Sequence, residues 1–272
     1  MPNHITNRLT IIGEETEVSR VLSEIKGSED DRFIDFNTFA PMPNELRNTT
    51  SPTRIISQED YDKQEERIAK DELTDIEKSF GVSRGLTKRI SAEYEDKFGA
   101  DNWYDWSLNN WGTKWNAYDQ SDNGDEIVFC TAWSTPVNAM QLLSAKYPEI
   151  EFRIQYADED FGHNVGEYHL MNGYIIHEYI PKGGSKEALI LAMDITGDQD
   201  YYLEGYLCDE EGEELTEFAE TLVEMAHEGQ YLIEEYPVVV LNKLKELALN
   251  DEQYERVAEI DKLLKAKEET AE

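Results

Sequence analysis

The sequence predicts a mixed α+β protein, and three observations carry this prediction. Short segments in which polar and apolar residues alternate indicate strands, and segments whose apolar residues recur every three or four positions indicate helices. The two kinds of segment follow one another along the first two thirds of the chain. The 272 residues are 39% hydrophobic and include five Trp and fifteen Tyr, which is the composition of a folded protein with a core.

The first hundred residues contain a strand, a helix and a predicted insertion. Residues 4–12 alternate and end at Gly13, which predicts a strand, and residues 14–25 carry apolar residues at helical spacing. Residues 33–36 are predicted to form a second short strand. Residues 44–100 are polar and then highly charged, with mixed signs that are typical of a solvated helical face. We therefore predict a helical insertion at about 44–100.

The next elements restore the earlier pattern. Asn123–Gly124 predicts a tight hairpin turn before a strand at 126–130, and the acid spacing around it does not follow a calcium loop. Ser134–Thr135–Pro136 predicts a helix start, with the helix reaching about Lys146. Residues 150–157 alternate as another strand. The order strand, helix, strand, insertion, strand, helix, strand is compatible with a ferredoxin-like α+β sandwich.

The last third of the chain predicts two further regions. Asn172–Gly173 indicates a second hairpin, and the glycines of 181–185 indicate a loop or domain joint. Residues 188–195 read as a strand, with 201–208 as its partner. Balanced charges and two apolar stripes predict a helical hairpin at the C-terminus. The predicted regions are a ferredoxin-like domain at 1–180, an acidic α+β region at 181–237 and a helical hairpin at 238–272.

The negative charge of the chain is unevenly spread. The formal net charge is -34, and the segment from Asp101 to Glu235 contains 29 acidic and five basic residues. Such a field attracts cationic surfaces and repels nucleic acid and anionic membranes. Within a predicted helix at 214–228 the carboxylates recur every three or four residues without lysines between them. The residues expected to bind a basic partner are Glu210, Glu213, Glu217, Glu220, Glu224 and Glu228.

Residues 103–119 form the densest aromatic stretch of the chain, WYDWSLNNWGTKWNAYD. Aromatic residues among polar ones can form a stacking platform or ligand pocket, or they can be core residues that share a buried face. A platform for nucleic acid would need several cations, and this stretch offers only Lys114. The candidate ligand pocket consists of Trp103, Trp106, Trp111, Trp115, Asp158, Asp160 and His163.

No motif in the sequence predicts a particular reaction. The chain contains no phosphate-binding loop, nucleophile elbow or paired histidine motif, so we assign no catalytic residue, no metal ligand and no cofactor. Cys130 and Cys208 are expected to be reduced thiols. There is no signal peptide or apolar stretch long enough to span a bilayer, which predicts a cytoplasmic protein without a membrane partner.

Several short motifs resemble a known family. The segments MPNHITNRLTI, PMP (41–43), WYDWSLNNWGTKWNAYD, TAWSTP (131–136) and YADEDFG (156–162) resemble the YubB-like family of plasmid and phage proteins. The resemblance covers roughly residues 1–180 and is interrupted at the 44–100 segment. It implies a ferredoxin-like domain and a mobile-element origin, and it supplies no catalytic residues. Residues 241–265 also resemble the short helical hairpin of UvrB- and UvrC-type repair proteins, which implies a protein-contact module.

These observations predict a protein that binds a host protein with a basic surface. The sharper hypothesis is that its acidic surface imitates the charge of DNA and so inhibits a nucleic-acid-binding factor. An alternative is a small-ligand-binding protein or enzyme that uses the candidate pocket. A second alternative is that the acidity serves solubility and that the C-terminal hairpin packs on its own domain or pairs two copies of the chain.

Overall fold

The computed structural model describes residues 3–74, 77, 81–124, 126–196, 223, 238–251 and 253–270. The chain divides into two compact units, and each is described by itself. The first unit comprises residues 1–160 and 164–180, and the second comprises residues 161–163 and 181–272.

The described part of the first unit contains six strands and five α-helices. The strands are β1 (His4–Ile12), β2 (Tyr118–Asp122), β3 (Glu126–Ala132), β4 (Glu151–Asp158), β5 (Gly166–Met171) and β6 (Tyr174–Tyr179). The α-helices are α1 (Glu15–Ile25), α2 (Gln58–Ala69), α3 (Lys88–Phe98), α4 (Trp103–Asn110) and α5 (Val137–Lys146). A short 3₁₀-helix spans Phe36–Thr38.

The six strands form one antiparallel sheet in the order β2-β3-β1-β4-β5-β6. Its first four strands have the order 2-3-1-4, with α1 following β1 and α5 joining β3 to β4. This is the ferredoxin-like arrangement, so the predicted α+β fold class is confirmed. The β5–β6 hairpin, which turns at Asn172 and Gly173 with φ of 50° and 80°, extends the sheet beyond it.

The core lies between one face of the sheet and the helices. Leu9 in β1 is fully buried and lies opposite Ile127 of β3 and Ile154 of β4. Val21 and Ile25 of α1 join the same cluster. Because side chains alternate along a strand, the residues next to these project from the opposite face of the sheet.

Two strand predictions were wrong. Residues 33–36 form no strand because Gln120 and Asn116 side chains accept the hydrogen bonds from the backbone N–H groups of Ile34 and Phe36, at 2.8 and 2.9 Å. These side chains take the place of a neighbouring strand. Residues 188–195 lie in a helix because their buried positions recur at helical spacing, as the next paragraph describes.

The described part of the second unit is helical. Its helices are α6 (Lys186–Thr196), α7 (Val238–Asn250) and α8 (Tyr254–Thr270). Ala188, Ala192 and Ile195 are the buried residues of α6, at spacings of four and three. Helices α7 and α8 pack together, with Lys245 and Asp261 paired at 2.5 Å, so the predicted C-terminal helical hairpin is present. Residues 201–208, including Cys208, lie outside the described residues.

The segment predicted as an insertion contains α2 and α3. Helix α2 buries no residue, and its charges pair locally, with Lys63 and Glu59 at 2.7 Å. Short parallel bridges join Thr49 to Arg84 and Ile55 to Leu86. This helix therefore has the solvated face that the mixed charges predicted. None of the helices among the described residues has the length and hydropathy of a membrane span.

A polar network covers the outer face of β4 and β5, and its centre is Glu167. The Glu167 carboxylate accepts hydrogen bonds from Arg153 at 2.7 Å, Gln155 at 2.6 Å and His169 at 2.8 Å. Burial alone would raise the pKa of Glu167, but the hydrogen bonds and positive charges of His169 and Arg153 outweigh it. The pKa of Glu167 therefore lies below its ordinary value of 4.5.

We expect Glu167 to make the unfolding free energy depend on pH in the acid range. A carboxyl with a lowered folded-state pKa stabilises the fold above its unfolded pKa of 4.5, and this contribution is lost as the pH falls through the lower folded value. Glu167→Gln should cost ~1 kcal/mol near neutral pH and less near pH 3. Urea unfolding of both proteins between about pH 3 and pH 6 measures this. A difference that stays constant across that range would contradict it.

Candidate protein-binding surface

The aromatic motif begins as helix α4 and then leaves the helix. Asn102 caps α4, since its side chain accepts hydrogen bonds from the backbone N–H groups of Tyr104 and Asp105, at 3.1 and 3.0 Å. The helix ends at Asn110, and Gly112 adopts a φ of 80°. This left-handed conformation redirects the chain, so Trp111 and Trp115 do not share a helical face.

Two of the motif's tryptophans are core residues. Trp106 and Trp111 are only 6% and 4% exposed, and their rings meet edge to face with centroids 5.4 Å apart. The Trp111 indole Nε1–H donates a 2.8 Å hydrogen bond to the carbonyl oxygen of Ala40. For these two residues the structure supports the core interpretation. Trp103 is half-buried, and Trp115 is 38% exposed.

The exposed end of the motif belongs to a row of rings joined by one lysine ammonium, which we call the aromatic surface. Its rings are those of Tyr104, Trp133, Trp115, Tyr118 and His4, and the ammonium of Lys114 joins the two tryptophans. Trp133 meets Tyr104 with centroids 6.2 Å apart, and Trp115 meets Tyr118 at 6.0 Å. The row therefore connects α4, β2, β1 and the β3–α5 junction.

Trp133 is the most exposed tryptophan of the surface, at 43%. Its φ is 72°, in the left-handed region that side chains with a Cβ seldom adopt. The backbone holds it there, since the Trp133 N–H donates to the Asn3 carbonyl at 2.9 Å and the Thr131 hydroxyl donates to the Ser134 carbonyl at 2.8 Å. A large apolar ring is thus kept at the surface by a constrained strand end.

Lys114 places its ammonium on the two exposed indoles. Its Nζ lies 4.6 Å from the ring centroid of Trp115 and 4.6 Å from that of Trp133. Both distances are within the range of a cation–π interaction. No ion pair joins Lys114 to a carboxylate in the part of the chain that the structure describes. Aromatic rings therefore take the place of an anionic partner for this lysine.

Tyr118 marks where the aromatic surface meets negative charge. Its hydroxyl and His4 Nδ1 are 2.7 Å apart, and the hydroxyl also reaches the Thr131 carbonyl at 3.2 Å. Burial, and then electrostatic repulsion from Cys130, Asp119 and Glu159, raise the pKa of Tyr118 to about 12. Tyr118 is therefore a neutral hydroxyl near physiological pH.

The two acidic residues of the candidate pocket have different surroundings, since Asp158 is buried and Asp160 is exposed. The Asp158 carboxylate is buried and accepts hydrogen bonds from the side chains of Asn3 and Asn164 and from the backbone N–H of Asp160, at 2.9–3.0 Å. Both of its oxygens are thus occupied by donors, and its role is to hold the end of β4 in place. Asp160 is exposed, and His163 belongs to the second unit.

The acidic residues predicted to bind a basic partner are not part of the described structure. Glu210, Glu213, Glu217, Glu220, Glu224 and Glu228 lie outside the described residues. Among the residues that are described, no three His, Cys, Asp or Glu side chains are grouped to hold a metal ion. Cys130 is a free thiol.

Four residues of the aromatic surface are not among the site residues that the sequence predicted. These are His4, Tyr104, Tyr118 and Trp133. Tyr104 and Tyr118 lie inside the aromatic stretch, of which only the tryptophans were predicted as pocket residues. Trp133 could have been found from its position, because it is a large apolar residue between a predicted strand and the Ser134–Thr135–Pro136 helix start.

Comparison with known proteins supports the fold and does not assign an activity. The topology and the sequence define a ferredoxin-like domain as the class of this protein. Residues 110–217, less than half of the chain, match the family model described as a ferredoxin-like domain in Api92-like protein. The YubB-like and UvrB/UvrC-type resemblances stay predictions.

A similar solved structure is the crystal structure of a protein api92 from Yersinia pseudotuberculosis. It is similar to this chain at 12% sequence identity with a TM-score of 0.37, over 68% of this chain and 100% of that one. No curated protein matches the sequence.

Proposed function

We propose that this protein binds a partner protein that carries a basic surface, and that the aromatic surface is the central contact. The exposure of Trp115 and Trp133, at 38% and 43%, is the observation that carries this proposal. Tryptophan and tyrosine are enriched among the few residues that supply most of the energy of protein interfaces. Here they form two groups of rings that the Lys114 ammonium joins, rather than isolated exposed side chains.

The charge of the chain indicates what kind of partner the surface suits. A formal net charge of -34 steers cationic proteins toward the chain and repels anionic ones. Asp119 and Glu159 act on the hydroxyl of Tyr118, so part of this charge borders the aromatic surface itself. An anchor of rings with acidic neighbours suits a partner that presents arginine and lysine.

The sharper form of the proposal names a nucleic-acid-binding factor as the partner. In this form, a phage or plasmid protein acts in the bacterial cytoplasm, and its acidic residues between Glu210 and Glu228 imitate DNA phosphates. Duplex DNA presents about one charge per 1.7 Å of axis, so these carboxylates would supply one part of such a surface. Self-association through α7 and α8 is a further proposal that the same purified protein can test.

The ligand-pocket alternative receives less support from the geometry. Trp106 and Trp111 are buried against each other, and Asp158 is occupied by three donors. Trp115, Asp160 and His163 of the candidate pocket are exposed, and Trp115 belongs to the aromatic surface. We therefore retain the protein partner as the proposed function.

Capture followed by reconstitution tests the proposal. The tagged protein is used to recover bacterial proteins at low and high salt, and a recovered protein is identified, purified and titrated by calorimetry. We expect it to be basic, to bind more weakly in high salt, and to lose about tenfold or more in affinity when Trp115 and Trp133 are both changed to alanine. Displacement of that protein from DNA or RNA then tests the sharper form.

A matched control uses exposed rings outside the aromatic surface. Tyr174 and Tyr254 are 70% and 67% exposed, so Tyr174→Ala and Tyr254→Ala remove similar apolar area elsewhere. Both should leave binding of the reconstituted partner unchanged. If the double tryptophan variant binds as tightly as the wild type while these controls weaken binding, the contact lies elsewhere and the proposal is wrong.

A further inference from the structure

We infer that Trp115 and Trp133 form a recognition site for one cationic side chain of the partner, and that Lys114 fills this site in the free protein. The inference rests on the proposed function and deepens it, since it names the group that the aromatic surface binds. The ligand class is an arginine or lysine side chain in a basic peptide segment.

The geometry of Lys114 is that of a bound cation. Its Nζ is equally distant, at 4.6 Å, from the ring centroids of Trp115 and Trp133. The face of an indole carries the negative part of the ring quadrupole, and tryptophan is the best aromatic partner for a cation. Two such rings within reach of one ammonium therefore form a site whose chemistry selects positive charge.

The two rings are held in place by neighbours rather than by Lys114 alone. The rings of Trp133 and Tyr104 lie at an interplanar angle of 89°, and those of Trp115 and Tyr118 at 71°. Both are edge-to-face contacts, which fix ring orientation. The backbone hydrogen bond from Trp133 to Asn3 further fixes the strand end. A site whose rings are already oriented pays little reorganisation when one cation replaces another.

Lys114 is suited to vacate the site. A lysine ammonium is a strongly hydrated charge on a flexible four-carbon stem, so it can move into solvent without disturbing the backbone. No carboxylate of the described residues pairs with it, although the chain contains 59 Asp and Glu residues. Among the described residues, the Lys114 ammonium contacts the rings of Trp115 and Trp133 and no carboxylate. A competing cation therefore needs to replace Lys114 only at these two rings.

The charge around the site favours an incoming arginine. Asp119 and Glu159 are close enough to influence Tyr118, which contacts Trp115. A guanidinium is planar, is more weakly hydrated than an ammonium and stacks on aromatic faces, so it exchanges water for the rings more readily. A partner arginine should therefore compete well with Lys114, and acidic neighbours can pair with the basic residues that flank it.

Removal of Lys114 provides the direct test. The probe is a short blocked peptide with two arginines among glycines, and its matched control carries glutamines in place of the arginines. Both are titrated into the full-length protein at near-physiological salt by calorimetry and tryptophan fluorescence. Lys114→Gln should bind the arginine peptide about five- to tenfold more tightly than the wild type, because the competing cation is gone.

The control variant separates competition from general electrostatics. Lys26→Gln removes the same charge, and Lys26 Nζ also lies near one ring, at 5.8 Å from the centroid of Phe33. It should leave affinity within about twofold of the wild type. Adding Trp115→Ala or Trp133→Ala to Lys114→Gln should abolish the gain, and urea unfolding confirms that each variant is folded.

Three results would overturn the inference. Equal gains for Lys114→Gln and Lys26→Gln would mean that only net charge matters. Tighter binding of the glutamine control peptide than of the arginine peptide would mean that the site does not select positive charge, and a gain that survives Trp115→Ala or Trp133→Ala would place the site elsewhere. If one of these results is found but a reconstituted partner protein still requires Trp115 and Trp133, the proposed function stands and only the inference fails. If the arginine peptide binds as expected but no partner protein requires these tryptophans, the proposed function fails and the inference stands.

Discussion

Replacing Trp111 with alanine is expected to lower the unfolding free energy by about 3–5 kcal/mol. The indole is 4% exposed and contacts Trp106 and Phe36, with ring centroids at 5.4 and 5.7 Å. Its removal leaves a cavity in the main core and an unpaired carbonyl on Ala40, which now accepts the 2.8 Å hydrogen bond from the indole. Both losses act in the folded state, so they add to the destabilisation.

Chemical denaturation followed by far-ultraviolet circular dichroism measures this effect, and Trp115→Ala is the matched control. The two residues lie four positions apart in the same motif, but Trp115 is 38% exposed. Its replacement should cost less than about 1 kcal/mol. Trp111→Ala should therefore lower the unfolding free energy and leave the aromatic surface unchanged. Trp115→Ala should remove part of the aromatic surface and leave the unfolding free energy nearly unchanged.

A similar small loss for both tryptophans would contradict this division of the motif. It would mean that Trp111 is as accessible as Trp115, and the ligand-pocket interpretation of the motif would then regain support. Trp111→Phe refines the test, because it keeps most of the buried area and removes the hydrogen bond to Ala40. We expect it to fall between the wild type and Trp111→Ala.

Local sequence patterns predicted the strands and turns whose structure depends mainly on neighbouring residues. The alternation of residues 4–12 predicted β1, and the Asn172–Gly173 pair predicted the turn between β5 and β6. In each case the chemistry is contained within a few residues. The predicted order of elements was compatible with the ferredoxin-like arrangement, but its second strand is Tyr118–Asp122 and not residues 33–36.

The predictions failed where distant side chains decide the local structure. The backbone N–H groups of Ile34 and Phe36 donate hydrogen bonds to the side chains of Gln120 and Asn116, which are more than 75 residues away. The local sequence around Ile34 and Phe36 does not indicate these partners. The run 188–195 failed for another reason, since a short apolar segment fits a buried helix as well as a strand. Its helical spacing of buried alanines became visible only in the fold.

The aromatic surface illustrates both limits. The aromatic motif indicated the tryptophans, but their spacing predicted that Trp111 and Trp115 share one buried face. The left-handed turn at Gly112 instead sends the first into the core and the second to the surface. Trp133 joins the surface because β3 pairs with β1 and its backbone N–H bonds to Asn3, a contact across 130 residues that no local pattern encodes.

Asp158→Ala is expected to lower the unfolding free energy by about 2–3 kcal/mol, although the residue was first selected as a ligand-pocket candidate. Its buried carboxylate accepts hydrogen bonds from Asn3, Asn164 and the backbone of Asp160, and so ties the end of β4 to the segment before β1. Hydrogen bonds to a charged acceptor are stronger than those between neutral groups. Their loss leaves three donors without this partner.

Asp160→Ala and Asp158→Asn provide the controls, measured by the same urea unfolding. Asp160 is exposed and contributes only its backbone N–H, which alanine retains, so its replacement should cost less than about 0.5 kcal/mol. Asparagine at 158 keeps the shape but presents an amide donor toward one of its present donors, so an intermediate loss is expected. If Asp158→Ala unfolds like the wild type but releases a small molecule or metal from the purified protein, the carboxylate serves a ligand. The pocket alternative would then replace the structural role that we assign to it.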